Sequence, residues 1–168
     1  MKPLVILCGL LLSSVAAFAT SNHEYGADEY VTIARGLSPD GKYAITTHGG
    51  SEDLGYAGFH LYLTNAITGK KIGPLEEIVQ ILDTGADAYC AQWSKGSQRV
   101  TIVYRVSRHE PLKAMSYRIG DGRAYPLSHA PVDATDEQTG YWGNQCSNSQ
   151  SSPKVYGTPK PHRDDADQ

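Results

Sequence analysis

Apolar and polar positions alternate along most of this chain with a period of two, the pattern of half-buried strands. Residues 31–37 form the first such run. Residues 42–48 form the second, with Tyr43, Ile45 and Thr47 on one face. In residues 59–63, Phe59, Leu61 and Leu63 alternate with His60 and Tyr62. The pattern resumes at 88–94, at the β-branched run 99–106, at 113–119 with Met115, Tyr117 and Ile119 on one face, and at 123–127. Turn residues separate these runs: Pro39-Asp40-Gly41, Thr68-Gly69-Lys70, Asp83-Thr84-Gly85 and Gly120-Asp121-Gly122. Proline presets φ in such turns and glycine tolerates positive φ. One stretch breaks the rhythm. Leu75, Ile78, Val79 and Leu82 have helical spacing, with Pro74 suited to a first helical position and Glu76 and Glu77 to the positive end of the dipole. A short helix or turn over 74–82 is expected there, and a strand over 71–78 is the competing reading.

The runs fall into two copies of one unit. "LSPDGKYAI" at 37–45 and "WSKGSQRVTI" at 93–102 are each a strand end, a turn and a strand start, with one extra residue assigned to the second turn. Each copy continues with a loop, a strand, a glycine turn and a short final strand, a repeat of about fifty-five residues. Ser38-Pro39-Asp40-Gly41-Lys42 in the first copy and Trp93-Ser94 in the second resemble the blades of TolB-like and WD40-like β-propellers, whose repeats carry Trp-Ser-Pro-Asp-Gly before a basic residue and a strand. Leu37 stands for the tryptophan in the first copy, and Pro-Asp is missing from the second. The resemblance spans about 31–127 and implies two degenerate blades. A closed propeller needs four or more, so it implies no closed propeller. The fold class expected is all-β: two repeated antiparallel four-stranded units, 30–82 and 86–128, packed as a β-sandwich that buries both apolar faces. An open pair completed by oligomerisation is the alternative.

The ends differ in character. Lys2, an apolar run over 4–15 and Ala17-Phe18-Ala19 have the form of a secretory signal peptide covering 1–19. No second apolar segment of about twenty residues follows, so the expected product is exported, periplasmic or secreted, and free of the membrane after cleavage. Residues 20–29 read as a flexible lead-in and 30–130 as the β domain. In 131–168 Ser, Pro, Gln and Asp dominate, and a polar, largely disordered tail is expected. Loss of Lys2 leaves 14 basic against 18 acidic residues. That modest negative balance, without a Lys/Arg cluster, speaks against nucleic acid or an anionic membrane as partner. Cleavage also removes Cys8, and the remaining pair, Cys90 and Cys146, is expected to form a disulfide in an oxidising compartment.

Candidate chemistry is sparse. No Gly-x-Ser-x-Gly, Gly-x-Gly-x-x-Gly or calcium-loop motif occurs, and no cofactor is implied. His48 and His60 flank the loop "GGSEDLGYAG", so two imidazoles with Glu52 or Asp53 could hold zinc or copper. Any two outward strand residues beside a hairpin share that geometry. The chain has 11 Tyr and only 2 Phe. His60, Tyr62 and Arg105 lie opposite the apolar alternation of their strands, and Tyr56 and His109 lie in hairpin loops. Tyr and Arg suit recognition surfaces. These five residues are the candidate binding set of a non-catalytic domain for a protein or glycan partner. A small secreted enzyme inhibitor is a sharper form of that reading, similar in class only to lysozyme inhibitors, since the Ser-Gly-x-x-Tyr motif of one such family is missing. A metal-dependent module or enzyme using the histidines is the alternative from another class: His48, His60 and His129 could serve as bases, but no spacing assigns a nucleophile or an acid. The leader predicts that the intact mass of the exported protein corresponds to a chain starting at Thr20; a mass retaining residues 1–19 would exclude the assignment.

Overall fold

The protein is described by a computed structural model over residues 29–48, 60–79, 81–82, 85–146 and 154–157. Within these, the period-two runs become strands β1 (Tyr30–Leu37), β2 (Tyr43–His48) and β3 (Leu61–Asn65), and the final strand of the first copy is β4 (Lys71–Pro74). The second copy supplies β5 (Tyr89–Trp93), β6 (Arg99–Tyr104), β7 (Lys113–Gly120) and β8 (Arg123–Pro126). Two-residue strands β9 (Val132–Asp133) and β10 (Val155–Tyr156) and one short helix, α1 (Asp136–Tyr141), complete the elements. The fold is all-β, as the alternation requires. Over 74–82 the turn is found and not the helix: β4 ends at Pro74, so the competing strand covers only its first part, and Leu75 and Ile78 are buried as single anchors. The Leu75 amide donates across to the Leu61 carbonyl (2.8 Å) and the Ile78 amide to the Leu75 carbonyl (3.3 Å), a single turn that does not continue as a helix.

The two units are antiparallel meanders, but they do not stack as separate sheets. The order is β4-β3-β2-β1-β5-β6-β7-β8, with β1 and β5 parallel at Ala34 and Cys90. One continuous sheet therefore runs through both units, and it curls until its end strands β4 and β8 approach, giving a nearly closed barrel-like shape. The inner faces do meet, as a sandwich would have had them. Ile33, Ile45, Leu61 and Leu63 pack in one cluster with Tyr89, Val100, Ile102, Met115 and Tyr117. The difference lies in the shared edge, which is hydrogen-bonded rather than open.

The turns at the start of each unit are equal in length. Leu37 pairs with Ala44 and Trp93 with Val100. Ser38 Oγ accepts from the Tyr43 amide (2.9 Å), and Ser94 Oγ accepts from the Arg99 amide (3.1 Å). Gly41 and Ser97 both take left-handed φ, 70° and 58°. The extra residue assigned to the second turn is thus a correction. The irregularity sits in β1, where Arg35 has φ 58° and the register shifts between Thr32 and Leu37. This bulge leaves Leu37 exposed while Trp93 packs inward. It also brings Gly36 against β2, where a Cβ would lie 2.6 Å from the Ile45 carbonyl oxygen, so only glycine fits. In the first turn the Ser38 hydroxyl, at 2.7 Å, and then the Lys42 amide hold the Asp40 carboxyl below its ordinary range. The turns also bind each other: Trp93 Nε1 donates to the Gly36 carbonyl (3.1 Å) and the Asp40 amide to Ser97 Oγ (3.1 Å).

The stretch expected as a disordered tail contains structure wherever it is described. Thr135 caps α1 through a capping box with Gln138, and a π-helical turn, Trp142–Cys146, follows. Cys146 is disulfide-bonded to Cys90, Cα–Cα 5.9 Å, across 56 residues. The bond draws Trp142 onto Val103, Leu112 and Ala114, on the outside of the second unit. Further on, β10 pairs with β1, and Thr32 Oγ1 bonds both the Lys154 amide and carbonyl at 2.7 Å. Tyr156 joins Tyr30, Ala44 and Ala66 in a second small core on the outside of the first unit. Composition fails to predict this order because a covalent bond and a vacant strand edge supply what local hydrophobicity does not. Cys146→Ser should lower unfolding stability by up to about 4 kcal/mol, the chain-entropy value for a loop of this size. Denaturant unfolding measures it; an unchanged midpoint would mean that the bond restrains nothing.

Candidate functional site

The predicted binding residues that are described fall at two places, β3 and the chain after β6. Tyr56 lies outside the described residues. His60 and Tyr62 sit together at β3, rings edge-on at 6.1 Å. Tyr62 also meets Tyr30 edge-on at 5.7 Å. Lys71 from β4 lies 4.1 Å from the Tyr30 ring centroid and 4.8 Å from that of Tyr62, and its ammonium donates to the Tyr30 hydroxyl. Beneath them Thr46 and Thr64, both fully buried, share a hydroxyl hydrogen bond of 2.8 Å. Tyr62 therefore packs against the outer core and is no free-standing surface group. Arg105 follows β6, four strand positions from β3, roughly 19 Å along the sheet at the usual strand spacing. Its carbonyl accepts from the Leu82 amide. His109 is exposed in the β6–β7 loop.

The metal reading rests on residues that lie partly out of sight: Glu52 and Asp53 are outside the described residues. His48 ends β2, with its backbone opposite Tyr30. His60 Nδ1 is buried and has no hydrogen-bond partner among the described residues. Among those residues no three His, Cys, Asp or Glu side chains gather as metal ligands.

A cavity of about 540 Å³ lies elsewhere, at one end of the barrel. The chain leaving β4 supplies Glu76, Glu77 and Val79; β6 and its continuation supply Tyr104 and Val106; β7 opens with Lys113; and His129, Ala130 and Pro131 close the wall after β8. Each polar group has a traceable cause. Alternation on β6 and β7 turns Tyr104 and Tyr117 inward with Ile102 and Met115. A buried phenol normally finds a hydrogen-bond partner. Tyr117 does: its hydroxyl donates to Glu77 Oε2 at 2.9 Å, bringing a carboxylate from the β4 exit over the barrel end. Burial first, and then that carboxylate, push the Tyr117 phenol far above its ordinary value. Tyr104 is 1% exposed and stacks on Tyr89 at 5.9 Å, but its hydroxyl has no hydrogen-bond partner among the described residues. Burial alone pushes it up to about 12. Lys113 pairs across β7 and β9 with Asp133, Nζ–Oδ1 2.6 Å, a bond that also raises its pKa.

None of the cavity residues belongs to the five-residue binding set; His129 is the one that the sequence singles out for chemistry, as a possible base. The sequence carries part of the sign: Tyr117 shares a face with Met115 and Ile119. Glu77 reads from the sequence as an acid at a helix start, and only the folded chain brings it to the Tyr117 hydroxyl. The tyrosines set an alkaline limit on stability. In the unfolded chain Tyr104 loses its proton near its ordinary value of 10.0, and in the folded protein only near 12. Its contribution is intact below about pH 10 and falls as pH rises from there towards 12, because the unfolded state binds fewer protons. Denaturant midpoints measured across that range should fall less steeply in Tyr104→Phe than in the native chain; equal slopes would remove Tyr104 from the account. Comparison with family models, with curated proteins and with solved structures finds no match for this chain.

Proposed function

We propose that this chain is an exported, non-catalytic β domain that recognises a protein or glycan partner, and that the cavity at the barrel end is its recognition site. The observation that carries the reading is the cavity itself. It has the size of a ligand pocket. It joins apolar walls at Val79, Val106 and Pro131 to polar groups at Glu76, Glu77, Tyr104 and His129, and rigid strands set much of its lining.

Binding is favoured over proton transfer by the direction of the perturbed groups. A general acid or base works best with a pKa near the operating pH. Tyr104 and Tyr117 are moved away from neutrality and stay protonated, so neither is poised for proton transfer. The outer cluster of Tyr30, Tyr62 and Lys71 is committed to packing within the chain, so the cavity replaces the earlier candidate surface as the centre of the proposal. The leader, the disulfide and the compact fold fit an envelope or extracellular setting.

Val79 lines the cavity and is 69% exposed, so Val79→Trp should obstruct the mouth while changing stability by no more than about 0.5 kcal/mol. Partners taken from the native envelope or medium, and glycans on an array, should bind the native chain and weaken roughly tenfold, about 1.4 kcal/mol, with the variant. A partner held equally by both would place recognition away from this cavity.

A further inference from the structure

Taking the cavity as the recognition site, we infer that the group it receives is an organic ammonium ion on a short hydrocarbon stem, either a free amine or a lysine side chain of a protein partner.

The argument starts from charge. Glu77 is half-buried, and its hydrogen-bond partner is a phenol, which leaves the carboxylate charge uncompensated. Glu76 adds a second carboxylate at the exposed rim. Among the described residues neither has a basic group within ion-pair distance. Lys113 lies in the same lining, but Asp133 answers its charge from outside the cavity. The lining thus presents surplus negative charge beside apolar surface, where a water-poor environment strengthens attraction for a cation.

The second observation is independent of charge. The Tyr104 side chain is almost wholly buried, and its hydroxyl has no hydrogen-bond partner among the described residues. Tyr104 lines the cavity, so a ligand donor there can satisfy the oxygen. An ammonium has three donors and no acceptor. It can donate to the Tyr104 hydroxyl oxygen and to Glu77 Oε1, the carboxylate oxygen that Tyr117 leaves available. Val79, Val106 and Pro131 then cover a stem of several methylenes. An anionic ligand would meet two carboxylates. A neutral alcohol could use the hydroxyl but would leave the charge unanswered.

The test is a calorimetric titration of the purified, disulfide-bonded protein with n-pentylammonium, Nα-acetyl-lysine amide and 1-pentanol. Both cations should bind at least about tenfold tighter than 1-pentanol, as charged hydrogen bonds imply. Glu77→Gln should remove most of that preference, and Tyr104→Phe should weaken both cations severalfold. Circular dichroism checks that each variant is folded. If Glu77→Gln does not fold, Glu76→Gln and the loss of cation affinity as salt rises from about 0.01 M to about 0.5 M carry the test. Tighter binding of the free amine points to a small ligand, and tighter binding of the lysine derivative to a protein partner. Equal binding of 1-pentanol and the cations would overturn the inference and leave the cavity as a binding site. Binding by none of the three would overturn the inference, and a cavity bypassed by the Val79→Trp comparison as well would end the broader reading.

Discussion

The parallel pairing of β1 with β5 is the constraint on which the molecule turns. Each unit alone is a four-stranded meander with two free edges, and a meander of that size buries little on its own. Joining them at Ala34 and Cys90 removes two edges and lets one sheet curl until its remaining edges approach. The join needs the two chains to enter side by side. Trp93 bonded to the Gly36 carbonyl, and the Asp40 amide bonded to Ser97, fix that alignment at one end. The bulge at Arg35 is part of the same device. It turns the end of β1 away from the core just where the Trp93 ring needs room.

A curled sheet has an outside as well as an inside, and here the outside is not simply wet. Ala44, Thr46, Thr64 and Ala66 on one unit and Val103 and Ala114 on the other are buried on outward faces. The C-terminal chain covers both. Trp142 is held on the second unit by the disulfide, and Tyr156 on the first by pairing with β1. These segments bury few residues each, so they depend on the covalent bond and the strand edge to offset their ordering entropy.

The same curling creates the cavity. Where β4 departs, the barrel end is open, and the chain that leaves it places Glu77 over the inward phenol of Tyr117. The Tyr104 hydroxyl lines the same recess and has no hydrogen-bond partner among the described residues. That coincidence is the ground on which a site is proposed at this end of the barrel.

The sequence by itself determined the strands, their inward faces and the turns between the units. Each of these follows from local chemistry: alternation places Leu61 and Leu63 inside, and Gly41 takes positive φ without strain. The Cys90–Cys146 pair was also legible, since only two cysteines follow residue 19. What the tertiary structure decided is everything that depends on residues far apart in the chain. The edge-to-edge joining of two similar units depends on the bulge at Arg35, which no pattern of apolar residues announces. The order of 131–146 depends on a bond to Cys90. The separation of Tyr62 from Arg105 depends on the strand order, and the meeting of Glu77 with Tyr117 on how a curled sheet brings its ends together. Periodicity reports which side of a strand is buried; it carries no information about which buried faces become neighbours, because that is fixed by long-range pairing.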